Sequence, residues 1–244
     1  MAPLWTLVAV FVAGTVKGIA GLGFPTLATP LLSLAVDVKT AVVLLILPNI
    51  VMDGIQFARR GAPTETIRRL LPLLAGGAIG TIVGTRLLVV LPTRTVLLLL
   101  GGFVVAFVAL NATRVSPRLP AAWEPWVGPV AGFVAGVVGG VTNVPGTPLA
   151  IYFYALGMSK TDFLASTAFT FLVYKLVQLA AVAWYGLLST ALAATSVALT
   201  GIALAGFVVG LWVQNRLDQR AFNTAVLALL GALGLWLIVR SLLG

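Results

Sequence analysis

Residues 139–148 read GGVTNVPGTP and interrupt a long apolar run, between VGPVAGFVAGVV and LAIYFYALG. Glycine, proline, asparagine and threonine at this density are typical of a helix end. Backbone N–H and C=O groups that leave helical geometry inside lipid lose their partners, which costs several kcal/mol for each group. Such a break persists only where it is buried in protein or lines a wet cavity. The segment therefore indicates a functional break inside a membrane protein.

The composition indicates a membrane protein rather than a soluble one. Hydrophobic residues make up 60% of the chain and charged residues only 9%, whereas a soluble domain carries about 25% charged residues. Apolar runs of about 20 residues, the length that crosses a bilayer, recur along the whole sequence. The net charge of +9 lies mostly in short connections between these runs. It therefore reflects topology and not nucleic-acid binding, and we expect a multi-pass protein of the cell membrane.

Eight apolar segments are expected, and the first and fifth are too long for one simple crossing and are interrupted by Gly and Pro. The segments are 4–36, 40–57, 66–91, 94–112, 126–156, 161–187, 189–214 and 219–243. The only sizeable connection, 113–125, divides the chain into two predicted membrane repeats, 1–112 and 126–244.

The two halves are similar in sequence. A shift of 118 residues aligns 12–31 with 130–149 without a gap, and a shift of 126 pairs Gly80, Gly84 and Arg94 with Gly206, Gly210 and Arg220. The matches of the first alignment are Val12/Val130, Ala13/Ala131, Gly14/Gly132, Val16/Val134, Gly18/Gly136, Gly21/Gly139, Thr29/Thr147, Pro30/Pro148 and Leu31/Leu149. We interpret the chain as a duplication, with the GxxxG pairs as sites of close helix packing.

Positive charge favours an inverted arrangement of the two copies, because short cytoplasmic loops collect Lys and Arg. If both long segments are hairpins, the basic residues of the connections divide nine to three, against seven to five for eight full crossings. The nine inside are Arg59, Arg60, Arg68, Arg69, Arg114, Arg118, Lys160, Arg216 and Arg220, and the three outside are Lys39, Arg94 and Arg240. The predicted fold is all-α, with two inverted-topology repeats that each contain a broken re-entrant hairpin plus three transmembrane helices.

The two breaks, 21–30 and 139–148, are predicted to be the walls of an anion site. After each break the chain restarts as a helix, for which Thr29 and Thr147 are the predicted N-caps. A helix N-terminus presents free N–H groups and about half a positive charge. The alternative is that Gly and Pro only shape a tight hairpin. The predicted substrate-binding residues are Gly21, Gly23, Thr26, Thr29, Asn49, Gly140, Thr142, Asn143, Gly146, Thr147, Thr170 and Lys175.

Three charged residues lie within the apolar segments. Lys175 is near the middle of its segment, where a charge costs at least about 2.5 kcal/mol, and Lys17 precedes the first break. Both are candidates for attracting an anion, and pairing with Asp53 is the alternative. Asp53 is the candidate for coupling transport to protons. Weaker polar candidates are Ser166, Thr167, Gln56 and Gln178.

The sequence resembles the sulfite exporter TauE/SafE family along essentially its whole length. The resemblance rests on the duplicated glycine-rich hairpin, on TPLL (29–32) and TPLA (147–150), on GMSKTDFLASTAFTF (157–171) and on GxxxG before a basic turn. It implies a bacterial plasma-membrane permease that moves small sulfur oxyanions or organosulfonates, such as sulfite or sulfoacetate, outward. The first break has fewer polar groups than the resemblance implies, so we expect the second break to supply most ligand contacts.

The function expected from these observations is secondary transport of a small anion by alternating access around a midplane site. An anion channel or a uniporter for another small anion is the alternative. An integral-membrane enzyme is disfavoured because the chain has no His, no Cys and no pair of buried acids for metal binding or acid–base catalysis. No cofactor and no metal are expected, the partners are the substrate anion and the lipid bilayer, and the oligomeric state stays open.

Overall fold

The computed structural model describes residues 4–21, 23–61, 64–113, 118–214, 216 and 218–243, and the fold over these ranges is helical without strands. The helices are α1 (Leu4–Ala20), α2 (Phe24–Ser33), α3 (Val38–Leu44), α4 (Ile46–Arg60), α5 (Thr64–Val90), α6 (Thr93–Thr113), α7 (Glu124–Thr142), α8 (Gly146–Ala155), α9 (Lys160–Trp184), α10 (Thr190–Val213) and α11 (Gln219–Leu243).

Seven helical stretches in the described part of the chain are long and apolar enough to cross a membrane, with α3 and α4 counted together. The predicted all-α integral membrane class is therefore confirmed. Of the predicted connection 113–125, residues 114–117 lie outside the described residues, and Ala121–Trp123 form a 3₁₀ turn that leads into α7. The division of the chain into two repeats stays a prediction.

The first long segment folds back on itself as a hairpin, as predicted. The Trp5 indole N–H donates to the carbonyl of Leu31 at 3.0 Å, so the end of α2 lies beside the start of α1. Between the two helices Gly21 and Gly23 take φ angles of 80° and 94°, a region that residues with a Cβ rarely adopt. We call the segment from Gly21 to Gly23, of which Leu22 is outside the described residues, the first tip.

The fifth long segment also forms a hairpin. The N–H of Leu119, ahead of α7, donates to the carbonyl of Ala155 at the end of α8, at 2.9 Å. The break lies at residues 143–145, and we call the segment from Gly140 to Pro145 the second tip. Asn143 has a φ of 66°, a left-handed conformation that Asn tolerates better than most side chains. The N–H of Val144 donates to the Thr142 hydroxyl at 3.2 Å and so stays paired.

The two hairpins open at opposite ends of α5. Near one end of α5, Arg69 pairs with Glu124 at the start of α7, at 2.6 Å. Near the other end, the Lys39 ammonium donates to the carbonyl of Val89 at 2.9 Å, where α2 leads into α3. Helix partners also exchange between the halves, since α1 packs on α10 and α7 packs on α5. This geometry agrees with inverted repeats, whose orientation in a membrane stays a prediction.

Glycines permit both of these helix pairs to approach closely. A Cβ on Gly206 would overlap the carbonyl oxygen of Phe11, and one on Gly80 would overlap that of Phe133. Gly84 and Gly210 are placed in the same way against α7 and α1. The GxxxG pairs are therefore confirmed as packing positions, as small residues at membrane helix interfaces usually are.

The predicted helix caps are wrong. Thr29 and Thr147 are not N-caps, because α2 begins at Phe24 after Gly23 and α8 begins at Gly146 after Pro145.

The predicted apolar segment 40–57 lies within α3 and α4, which meet at Leu45 and together form one candidate membrane span, Val38–Arg59.

The interruption between α3 and α4 has a local cause. Pro48 has no N–H for the carbonyl of Leu44, and that carbonyl instead accepts the Ser196 hydroxyl at 2.8 Å. A side chain of α10 thus pairs the backbone group that the proline leaves free.

We expect Gly206→Ala to lower the free energy of unfolding of the purified protein by roughly 1–3 kcal/mol, because the added methyl overlaps the backbone of α1. The melting temperature should fall accordingly. Gly201→Ala is the matched control on α10, where an added Cβ meets nothing within 4 Å. Helix propensity should make that control neutral or stabilising by about 0.5–1 kcal/mol. Equal melting temperatures for the two variants would contradict this packing.

The hairpin topology can be tested by labelling single cysteines, since the chain has none of its own. Glu65→Cys and Lys160→Cys should react with a membrane-impermeant thiol reagent from the same face, and Ser189→Cys from the opposite face. These positions are exposed. If 126–156 crossed the membrane once instead of returning, the cysteines at 65 and 160 would react from opposite faces.

Candidate functional site

The candidate site is built on α4 and α9, two largely buried helices that pack against each other. On α4, Asn49, Asp53 and Gln56 lie one or two turns apart on a single helix face. On α9, hydroxyl and charged side chains replace the apolar residues that a membrane helix would ordinarily bury. Each helix binds one of the two tips.

The first tip is attached to α4. The Gln56 side-chain N–H₂ donates to the carbonyl of Gly21 at 2.6 Å and to that of Leu164 on α9 at 3.5 Å. One turn earlier, Asp53 forms a buried ion pair with Lys17 of α1. The alternative of internal pairing is therefore confirmed for Lys17.

The second tip is attached to α9. The Lys175 ammonium donates to the side-chain oxygens of Asn143 and Gln178. The Gln178 side-chain N–H₂ donates to the carbonyl of Gly140 at 3.1 Å, and Asn143 donates to the carbonyl of Val42 at 3.0 Å. Asn143, which ends α7 in a left-handed conformation, thus also accepts a hydrogen bond from the buried Lys175 ammonium.

The two tips lie at different levels along α9. The contacts of Gln56 and of Asn143 fall at Leu164 and Lys175, which are about 16 Å apart along the helix axis. A buried interval of α4 and α9 therefore lies between the two tips.

Polar atoms without hydrogen-bond partners are concentrated in this interval. Buried polar groups in folded proteins almost always have partners, and leaving one unpaired costs about 1–3 kcal/mol. The unpaired buried atoms on α4 and α9 are both amide atoms of Asn49, Asp53 Oδ2, Gln56 Oε1 and the hydroxyls of Ser166, Thr167 and Thr170. A set of this kind is suited to a ligand that accepts and donates several hydrogen bonds.

The charge of the site is positive. Among the described residues the fully buried ionisable groups near the tips are Lys17, Asp53 and Lys175. Lys17 and Asp53 neutralise each other, whereas both partners of Lys175 are uncharged amides. Lys175 also interacts electrostatically with Asp53. The site therefore carries one positive charge in excess, which favours a small anion.

A cavity of about 120 Å³ reaches the Lys17 side of the site. Gly21 and Gln56 border it at the first tip, and the exposed Arg59 borders it at the end of α4. A volume of this size holds several water molecules. It connects the ion pair with the end of the molecule where the basic connections are concentrated.

The remaining predicted residues have mainly local roles. Gly140 packs against the backbone of α5, and the Thr142 hydroxyl donates to the carbonyl of Val138 at 2.7 Å. The Thr147 hydroxyl donates to the carbonyl of Phe103 at 3.4 Å, toward α6. Gly146 lies beside Phe107 and Phe171. Gly23 directly precedes the first residue of α2, and Thr26 and Thr29 are buried within that helix. Whether any of them touches a substrate stays a prediction.

Gln56 and Gln178, only weaker candidates in the sequence, bind the two tips. A sequence signal for them exists: Asp53-Gly-Ile-Gln56 and Lys175-Leu-Val-Gln178 place a charged residue at the same spacing before a glutamine in each half. The common spacing becomes meaningful once both glutamines are seen to donate to tip carbonyls.

The fold and the site define a polytopic helical membrane transporter, in which two interrupted hairpins flank a buried polar site. The family model described as sulfite exporter TauE/SafE matches residues 6–237. The chain therefore belongs to the TauE/SafE family of membrane transporters. Comparisons with curated proteins and with solved structures give no match.

Asn49→Leu should separate stability from function. Both amide atoms of Asn49 are buried and unpaired. A leucine of similar volume should therefore leave the free energy of unfolding unchanged or raise it, by up to about 1–3 kcal/mol, and the melting temperature should follow. Anion binding should weaken at least about tenfold if Asn49 contacts the substrate. Binding as tight as in the wild type, measured by calorimetry in detergent, would remove Asn49 from the site.

Proposed function

We propose that the protein exports a small sulfur oxyanion or organosulfonate, such as sulfite or sulfoacetate, by alternating access around the site between the tips. The observation that carries this proposal is the buried interval of α4 and α9, where unpaired hydrogen-bonding groups accompany an ammonium with neutral partners. Membership of the TauE/SafE family supports the class of substrate.

The chemistry of the site suits a sulfonate or sulfite group. Such a group has several acceptor oxygens and can receive hydrogen bonds from Lys175, Asn49 and the hydroxyl of Thr170. An ammonium in a low-dielectric interior is costly without a counter-charge. An anion that binds there compensates the charge and satisfies polar groups at the same time, whereas a neutral molecule satisfies only the polar groups.

The difference between the two ends of the site supports export. The cavity at the first tip is lined by Lys17 and Arg59, and a positively lined recess raises the local concentration of anions. At the level of the second tip, Val43, Ile46 and Val182 form a buried apolar cluster. The positive-inside rule assigns the cavity to the cytoplasmic side, so this arrangement takes up anions from the cytoplasm.

Alternating access requires that the closed and open ends exchange. Asn143 connects the second tip to α3 through the carbonyl of Val42, and Gln56 connects the first tip to α4 and α9. Loss of the hydrogen bond from Asn143 to Val42 would open the outer end of the site. Movement of the first tip over the cavity would close the inner end. A channel needs both ends open at once, which the buried cluster above the site disfavours.

Flux in proteoliposomes tests the transporter function. We expect Lys175→Met to reduce both binding and counterflow of sulfite at least about tenfold, because a charged hydrogen bond contributes about 1.5–3 kcal/mol. Lys160→Met is the matched control: Lys160 begins the same helix but is exposed, and its replacement should leave flux within about twofold. No flux of any small oxyanion through the wild type would refute transport, and equal flux in Lys175→Met would make Lys175 structural.

A further inference from the structure

The three buried charges do not have equivalent surroundings. Lys175 has two neutral partners, and Lys17 has one charged partner, Asp53. Asp53 uses only its Oδ1 atom for the ion pair, and Oδ2 is buried without a partner. The carboxylate therefore behaves as a built-in anion next to the substrate site, with one oxygen still able to bind a proton.

We infer that Asp53 sets the charge of the transported substrate: the site accepts a monoanion while Asp53 is ionised, and a dianion when Asp53 is protonated. A dianion therefore moves together with one proton. The inference rests on the proposed function and specifies the charge class of its substrate.

Charge balance is the reason for this rule. With Asp53 ionised, Lys17, Asp53 and Lys175 carry one net positive charge, which one monoanion neutralises. With Asp53 protonated they carry two, because Lys17 no longer has a counter-charge, and a dianion neutralises both. An uncompensated charge inside the membrane costs several kcal/mol, so each protonation state favours the substrate charge that makes the total zero.

The ionisable groups of the described neighbourhood that face Asp53 are two lysines, Lys17 from α1 and Lys175 from α9. Asp53 is the only carboxyl group among these three buried residues. Helix α10, which packs against α4, has no ionisable residue within its bounds, and Lys39 of α3 donates to Val89 at the outer end. Arg59 lies on α4 itself, at the exposed end.

A route for the proton exists on one side. Lys17 and Gln56, the partner and the helix neighbour of Asp53, both line the cavity of about 120 Å³, which is large enough for water. The proton that Asp53 takes from this side is released to the opposite side together with the dianion. The Lys17–Asp53 ion pair then re-forms and resets the site.

Two probes of fixed charge test the inference on the purified full-length protein. Methanesulfonate is a monoanion and sulfate a dianion from about pH 6 to about pH 8, so that any pH dependence of their binding belongs to the protein. In the wild type, the ratio of sulfate to methanesulfonate affinity should fall as the pH rises, by about tenfold per unit, since only sulfate binding requires a protonated Asp53. The ratio is the quantity to follow, because loss of a proton from Lys175 would weaken the binding of both anions.

Asp53→Asn imitates the protonated carboxyl. We expect its ratio of sulfate to methanesulfonate affinity at about pH 8 to rise at least about tenfold over the wild type, and this ratio to lose its pH dependence. The double variant Lys17→Met/Asp53→Asn restores one net positive charge. It also contains no unpaired buried Lys17, so it keeps the test possible if the single variant does not fold. Its ratio of sulfate to methanesulfonate affinity should be low and independent of pH.

The outcomes separate the inference from the function. If the wild type binds both anions but the ratio of sulfate to methanesulfonate affinity does not change with pH, or if the ratio is the same in Asp53→Asn and in the wild type, the inference is overturned. A double variant whose ratio still falls with rising pH would also overturn it, because the proton that accompanies sulfate would then bind elsewhere. If the wild type binds neither anion, the proposed function itself fails.

Discussion

The ammonium of Lys175 and the break at Asn143 depend on each other. A charge at this depth is tolerated only with polar partners, and Lys175 obtains them from Asn143 and Gln178. A backbone break at this depth likewise needs partners, and Gln178 donates to the carbonyl of Gly140 in the last turn before the break. Each feature would be too costly alone, and together they give a stable arrangement with one positive charge in excess.

The two halves of the chain solve the same problem with opposite charges. In each half a glutamine of the central helix donates to a tip carbonyl, and the residue three positions before it is charged. That residue is Asp53 in the first half, where Lys17 neutralises it, and Lys175 in the second half. Perfect symmetry would give either two like charges or none. The exchange of acid and base leaves one half neutral and the other cationic, which is the charge that the proposed binding of an anion requires.

Much of this fold could be predicted from the sequence, because a break inside lipid requires residues that are easily recognised. The hairpins, the glycine contacts and the choice of Asn143 and Lys175 as candidate residues follow from local composition, and the structure shows both residues buried and hydrogen-bonded to each other. The starts of α2 and α8 could not be predicted, since each break contains two prolines and the chain uses Pro25 and Pro145, not Pro30 and Pro148, near the helix start. The partner of Lys17 and the roles of Gln56 and Gln178 depend on how helices far apart in sequence are aligned, which composition does not determine.

The most direct measurement is the position of a bound anion, determined from the anomalous scattering of bromine in crystals grown with a bromine-labelled alkanesulfonate. We expect a bromine peak inside the molecule between the two tips, with the sulfonate oxygens within hydrogen-bonding distance of the Lys175 ammonium and of groups on α4. A peak found only at the lipid-facing surface or in the outer connections, with the interval between α4 and α9 unchanged, would contradict it.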